Sequence, residues 1–153
     1  MKTFVHCRSR ELKKNSIWSD KTRKGLTDKG KPVLRHLYIE SKDDELYSIL
    51  EKYFYSVKTI LWNNATKDSV ILKTIGISVL FDILRNILEQ DGVQESYDSY
   101  INKISNVNFS SSYFALSGGG KTKLKRILKY KLGFMKESDL PKEDRDFLNG
   151  IIK

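Results

Sequence analysis

Apolar residues recur at intervals of three and four along the middle of the chain, which is the spacing of an α-helix. A first helix is predicted from Asp43, because the acidic run Asp43–Glu45 suits the positive end of a helix dipole. It is expected to end at Trp62, before the turn-forming pair Asn63-Asn64. Its apolar face comprises Leu46, Ile49, Leu50, Tyr53, Phe54, Val57, Ile60 and Leu61.

A second helix is predicted over about residues 70–90, where apolar residues cover most sides and indicate a central place in the core. Asp68 or Ser69 is expected to cap its start. Gly76 lies inside it, at a cost of about 1 kcal/mol relative to Ala, and would let a neighbouring helix approach closely. The two long helices are expected to pack together as the core.

Shorter elements complete the predicted fold. A weak helix is expected over about 95–105, a basic helix over 121–132 and a last short helix from about Pro141, a favoured first helical position. The apolar run 33–39 suits either a helical turn or a short strand. The sequence therefore predicts an all-α, single small domain of five or six helices, with a possible minor two-stranded element near residues 24–40.

The chain of 153 residues suits one domain. Its first part has weak periodicity and many turn formers, of which Gly25, Asp28, Gly30 and Pro32 are examples. We therefore expect residues 1–36 to form a basic N-terminal arm that packs on the core, and residues 37–153 to form the helical domain.

The net charge of +9 is unevenly distributed along the chain. Residues 1–36 hold eleven Lys and Arg against three acids, and residues 117–132 hold six against none. Clusters of this kind attract polyanions, of which nucleic acid is the first candidate. A solubilising surface is the competing interpretation.

The glycine run before the basic helix resembles a relaxed phosphate-binding loop. Residues 115–122 read Ala-Leu-Ser-Gly-Gly-Gly-Lys-Thr, with Ala115 where glycine is usual. A nucleotide-hydrolysing enzyme would also need a parallel sheet and an acidic strand end for Mg²⁺, and neither is visible. We instead expect Gly118, Gly119 and Gly120 to expose backbone amides to a phosphate at a helix start.

On the basic helix, Leu124, Ile127, Leu128 and Leu132 are expected to face the core and the cations to face outward. Charge reversal at Lys125 and Arg126 is then expected to weaken DNA binding without loss of folding. A second patch is predicted in the arm, near Trp18. The predicted nucleic-acid-binding residues are Lys121, Lys123, Lys125, Arg126, Lys129, Lys131, Lys21, Arg23 and Lys24.

Residues for catalysis are few. His6 and His36 are the only histidines and show no metal-ligand spacing, and the single cysteine, Cys7, excludes an internal disulfide. We therefore expect no catalytic residue, no metal and no cofactor. The longest apolar stretch is interrupted by charges, so no transmembrane helix is predicted. A cytoplasmic protein with no membrane partner is expected.

Several segments resemble the C-terminal helical part of DGQHR-domain proteins, a bacterial family associated in part with DNA phosphorothioation and defence. These segments are Cys7–Lys13 with Ile17-Trp18, Leu26–Tyr38, Tyr53-Phe54 with Val57, Ile60 and Trp62, Ile71–Gly76 with Leu80, and Ser117–Gly120 before the basic helix. The Asp-Gly-Gln-His-Arg motif, which lies in a ParB-like N-terminal part of the family, is absent here. The resemblance implies DNA-linked regulation or defence and supplies no catalytic residue.

Two main functional hypotheses follow, and a nucleotide-binding enzyme that uses residues 115–122 is the least favoured third. The first is a non-catalytic, DNA-associated accessory or regulatory protein from a bacterial or phage DNA-modification or defence context. The alternative is a protein–protein interaction module that docks on an acidic partner or on a complementary domain. An exposed apolar patch would favour the alternative.

Overall fold

The computed structural model describes residues 33–115 and 117–151 of the chain. Within these ranges there are six α-helices, three short 3₁₀ turns and no strand, which confirms the all-α prediction. The helices are α1 (Arg35–Ile39), α2 (Asp43–Ile60), α3 (Thr74–Asp91), α4 (Asp98–Ile104), α5 (Gly118–Lys131) and α6 (Lys142–Leu148). The 3₁₀ turns are Trp62–Asn64, Val70–Leu72 and Glu137–Asp139.

The apolar run at residues 33–39 forms a helical turn and not a strand. Leu34 and Leu37 are three positions apart and are both buried, which is the spacing of one helix face. The amide of Tyr38 donates to the carbonyl of Leu34 at 3.3 Å. The two-stranded element predicted near 24–40 is therefore wrong for residues 33–40, and residues 24–32 lie outside the described part. Helix α1 also runs across residue 36, where the arm was expected to end.

Helix α2 begins at Asp43 as predicted, with three acidic residues in its first turn. Leu46, Ile49, Tyr53 and Val57 on its inner face are all buried. The regular helix ends at Ile60, two residues before the predicted end, because the chain tightens into the 3₁₀ turn that starts at Trp62.

Helix α3 begins at Thr74, four residues later than predicted, and its N-cap is Lys73 instead of Asp68 or Ser69. Residues 70–72 form a 3₁₀ turn that lies directly on the first turn of α3. A Cβ atom on Gly76 would be 2.3 Å from the carbonyl oxygen of Val70, so only glycine fits there. The close approach expected at Gly76 is real, but the approaching element is this turn.

Helices that are not consecutive in the sequence pack most closely. Helix α3 lies mainly against α5, and α2 lies mainly against α4. The two long helices still meet through side chains, because the Tyr53 hydroxyl donates to the carbonyl of Leu80 at 2.8 Å and Phe54 packs edge-on against Phe81. In the described ranges, no helix is both long and apolar enough to cross a bilayer.

Two buried tyrosines make the stability of this fold sensitive to alkaline pH. Burial raises the pKa of Tyr53 far above its ordinary value, and burial together with a hydrogen bond to Asp144 does the same for Tyr113. Above a pH of about 10 the unfolded chain loses these protons while the folded chain keeps them. The free energy of unfolding should then fall by about 1.4 kcal/mol per pH unit for each of the two groups.

Urea unfolding between pH 9 and 11.5 (roughly the range around an ordinary tyrosine pKa) measures this fall. Replacing Tyr53 with Phe should reduce the slope of unfolding free energy against pH by about 1.4 kcal/mol per pH unit, the value for one proton. The reason is that residue 53 can then no longer ionise. Replacing the exposed Tyr47 with Phe is the matched control for the loss of one phenol hydroxyl. A slope that is the same in all three proteins would contradict the prediction.

Candidate nucleic-acid interface

Helix α5 begins in the glycine run itself, three residues before the predicted start. Ser117 has an extended backbone, and its hydroxyl accepts a hydrogen bond from the amide of Gly120 at 3.3 Å. This N-cap satisfies one of the free amides of the first turn, which is how serine stabilises a helix start. Helix propensity alone predicts a loop at three consecutive glycines. The Ser117 cap and the close packing of Gly120 stabilise the helix in spite of that preference.

The apolar face of α5 lies where the sequence predicts it. Leu124, Ile127 and Leu128 are completely buried, and Leu132 after the helix is buried as well. Because this face is covered by the core, Lys121, Lys123, Lys125 and Arg126 lie on the two flanks of α5. Lys129 lies on the outer edge, and Lys131 lies in the last turn on the same side as Ile127. Each flank contacts a different neighbouring helix, α3 on one side and α6 on the other.

On the α3 flank, two lysines bind side chains of that helix. The ammonium of Lys121 donates to the hydroxyl of Ser78 at 2.6 Å. One turn later, Lys125 forms an ion pair of 3.1 Å with Asp82, whose side chain is only 15% exposed. Lys121 and Lys125 therefore hold α5 against α3, at contacts spaced by one helical turn on each helix.

On the α6 flank, Lys123 contacts two groups. Its ammonium lies 3.3 Å from the carboxylate of Glu143 and 4.2 Å from the centre of the Tyr113 ring. The second contact is a cation–π interaction, in which the ring face attracts the positive charge. Glu143 is largely exposed, so this ion pair contributes little to stability.

The strongest contact of this flank is a buried cluster around Asp144. This carboxylate is fully buried, forms an ion pair with Arg126 through two guanidinium nitrogens and accepts a hydrogen bond of 2.5 Å from Tyr113. The Tyr113 ring in turn stacks on Phe147, with ring centres 4.7 Å apart. The hydrogen bond to Asp144 raises the pKa of Arg126 above its ordinary value, so the guanidinium remains charged. These contacts fasten α6 to α5.

The expectation that the cations of α5 face outward is therefore wrong for Lys121, Lys123, Lys125 and Arg126, each of which contacts a neighbouring element. The physical reason is that α5 lies between two helices, so its flanks are packing surfaces. Lys129 and Lys131 differ, because neither forms an ion pair with a residue in the described ranges. Both are half-buried and lie in the last turn, where cations suit the helix dipole.

Gly118 and Gly119 are exposed at the start of α5, whereas Gly120 is buried. The Lys121 amine, which would reach a phosphate in a nucleotide-binding loop, is hydrogen-bonded to Ser78. The described ranges also contain no parallel sheet behind the glycines. Lys21, Arg23 and Lys24, the predicted second patch, lie outside the described residues.

Sequence reasoning missed the partners of these cations. Asp82 and Lys125 are 43 positions apart, and Arg126 and Asp144 are 18 positions apart. No local pattern connects residues at such separations. The one available signal was the acidic start of α6 after Pro141, which was consistent with a helix start and did not indicate that Asp144 is buried. In the described ranges no three His, Cys, Asp or Glu residues lie close enough to hold a metal ion.

These contacts define a small all-α domain in which a cationic helix is held by carboxylates and a hydroxyl of neighbouring elements. The chain matches no protein-family model, no curated protein and no solved structure. The resemblance to DGQHR-domain proteins therefore remains a prediction from the sequence.

Proposed function

We propose that this chain is a non-catalytic, cytoplasmic, DNA-associated accessory or regulatory protein of a bacterial or phage DNA-modification or defence context. The observation that supports the proposal best is the charge balance around α5. Six cations on this helix meet three carboxylates, those of Asp82, Glu143 and Asp144. The helix thus keeps a net positive charge after its ion pairs are counted, and such a surface attracts the phosphates of nucleic acid.

The contacts divide the six cations into three pairs. Lys121 and Arg126 bind buried or partly buried partners and serve the fold. Lys129 and Lys131 have no carboxylate to neutralise them in the described ranges, and we assign them the main phosphate contacts. Lys123 and Lys125, with side chains about one third exposed, can donate further hydrogen bonds to a phosphate.

Two further groups extend this surface in the proposal. The exposed amides of Gly118 and Gly119 add donors at the positive end of the helix dipole. Lys21, Arg23 and Lys24 of the arm would form the second patch, as the sequence predicts. The interface would read backbone phosphates and not base edges, so its affinity should depend steeply on salt and weakly on sequence.

The test is binding to a labelled duplex over a series of salt concentrations. Replacing Lys129 and Lys131 with Gln should weaken binding on every sequence and reduce the slope of log affinity against log salt by about 2, one for each phosphate contact. Replacing Lys67 and Lys103 with Gln removes the same charge from other elements and is the matched control. Equal slopes in both double variants would contradict the assignment.

A protein-interaction module is the second candidate, in which the chain docks on an acidic partner or on a complementary domain. The specific observation that favours docking on a complementary domain is the exposure of two large aromatic side chains on α2, Tyr47 at 67% and Tyr55 at 69%. Exposed aromatic groups of this size are typical of interaction surfaces. Failure of the chain to bind duplex DNA even at low salt would make this the leading function.

A further inference from the structure

The outer face of α2 presents a single stripe of exposed side chains. The stripe consists of Asp44, Tyr47, Glu51, Tyr55 and Lys58, all of which are exposed. Successive members are three, four, four and three positions apart, so all five point in nearly the same direction on an α-helix. The spacing is the same in both directions from Glu51. We call this set the α2 stripe.

The α2 stripe has no partner within the described part of the chain. None of its five side chains makes a hydrogen bond or an ion pair with another described residue. Lys52 is also on α2 but lies outside the stripe. Its ammonium forms an ion pair of 2.8 Å with Glu95, which precedes α4. The two tyrosines are the most exposed aromatic side chains of the described ranges.

We infer that two copies of this chain associate through the α2 stripe, with their α2 helices antiparallel about a two-fold axis at Glu51. In a two-fold interface, if residue i contacts residue j, then j also contacts i. The antiparallel arrangement places Tyr47 of each copy against Tyr55 of the other. It also places Asp44 of each copy opposite Lys58 of the other, so each outer end of the interface holds a pair of opposite charges.

The charges of the stripe select a second copy over an acidic partner. The stripe is acidic at its start, acidic in its centre and basic at its end, so a uniformly acidic surface would be repelled by Asp44 and Glu51. A parallel pairing of two copies would place Asp44 against Asp44 and Lys58 against Lys58. The antiparallel pairing alone satisfies both ends. This inference uses none of the residues of the proposed DNA interface and is independent of that function.

Glu51 limits the strength of the association. On the two-fold axis the two Glu51 side chains face each other, and like charges in that position oppose binding. The stripe is also short, because its 14-residue rise spans about 21 Å of helix. A small interface with a central repulsion gives a weak and reversible dimer, which concentration should control.

Sedimentation velocity over a wide range of protein concentration measures this dimer directly. Replacing Glu51 with Gln should strengthen the association because the repulsion on the axis is removed. Replacing Tyr47 and Tyr55 with Ser should raise the dissociation constant about tenfold or more, since buried tyrosines contribute strongly to interfaces. All substituted side chains are exposed, so circular dichroism should show an unchanged helical fold.

A charge exchange tests the antiparallel geometry itself. Lys58→Glu alone should weaken the dimer, because it places two acids together at each end of the interface. Asp44→Lys combined with Lys58→Glu should restore the wild-type dissociation constant, since the opposite charges are again paired. Lys103→Glu on α4 makes the same charge reversal as Lys58→Glu and should leave association unchanged.

Three results would overturn the inference. One is a chain that stays monomeric at every concentration, both as wild type and as Glu51→Gln. Another is a dimer that none of the stripe variants weakens, which would assign the contact to a different surface. The third is a double charge exchange that stays as weak as Lys58→Glu alone, because the antiparallel pairing requires rescue.

Discussion

Replacing Asp144 with Ala should lower the free energy of unfolding by about 3 kcal/mol, since breaking a buried ion pair leaves its partner uncompensated. Asp144 is fully buried and binds both Arg126 and Tyr113. Without it, the guanidinium loses its carboxylate and the tyrosine hydroxyl loses its acceptor. Urea or thermal unfolding followed by circular dichroism measures the change.

A control and a rescue make this prediction specific. Asp146→Ala removes the same charge from the same helix at a half-exposed position and should change stability by less than about 0.5 kcal/mol. Adding Arg126→Met to Asp144→Ala removes the unpaired cation and should recover part of the loss. Equal stability of the Asp144 and Asp146 variants would show that the buried cluster does not fasten α6.

The Asp144 contact also changes which variants can test DNA binding. Reversing the charges of Lys125 and Arg126 was expected from the sequence to leave folding intact. In the structure, Arg126→Glu would place a second carboxylate beside buried Asp144, and Lys125→Glu would do the same beside Asp82. We therefore expect that double variant to unfold, which is why Lys129 and Lys131 are the better choice.

Gly120→Ala should destabilise the protein by about 3 kcal/mol, at the upper end of the usual cost of overfilling a packed region. A Cβ atom at Gly120 would lie 1.8 Å from the carbonyl oxygen of Ala115, and a backbone atom cannot rotate away as a side chain can. Either the start of α5 or the segment before it must therefore shift. Unfolding in urea measures the loss.

Gly118→Ala is the matched control in the same helical turn. No atom lies within 4 Å of a Cβ placed there, so the alanine meets no obstacle. Because alanine favours the helix over glycine, this variant should be more stable than the wild type by up to about 1 kcal/mol. Effects of the same sign at both positions would show that close packing at Gly120 does not control the start of α5.

The features of this fold that follow from local helical periodicity could be predicted from the sequence. The features that depend on contacts between distant residues could not. The buried face of α2 followed from the spacing of residues such as Leu46, Ile49 and Tyr53, which periodicity alone reveals. The start of α3 at Thr74 did not follow, because the preceding turn folds back onto Gly76. Propensity cannot anticipate such a tertiary contact.

The candidate interface shows the same division. The sequence correctly placed Leu124, Ile127 and Leu128 in the core, since they share one helix face. It misassigned the flanking cations because a lysine facing solvent and a lysine facing a carboxylate have the same local pattern. Only the arrangement of α3 and α6 around α5 distinguishes them, and their partners lie far away in the sequence.

Four of the polar contacts between distant segments join residues at nearly the same separation in the chain. The bonds Lys52 to Glu95, Thr66 to Ser110, Lys121 to Ser78 and Lys125 to Asp82 join residues 43 or 44 positions apart. Long loops must therefore close before these contacts can form, and loop closure costs chain entropy. This domain should then fold more slowly than a helical bundle whose neighbours are consecutive, since folding rates fall as the sequence separation of contacts grows.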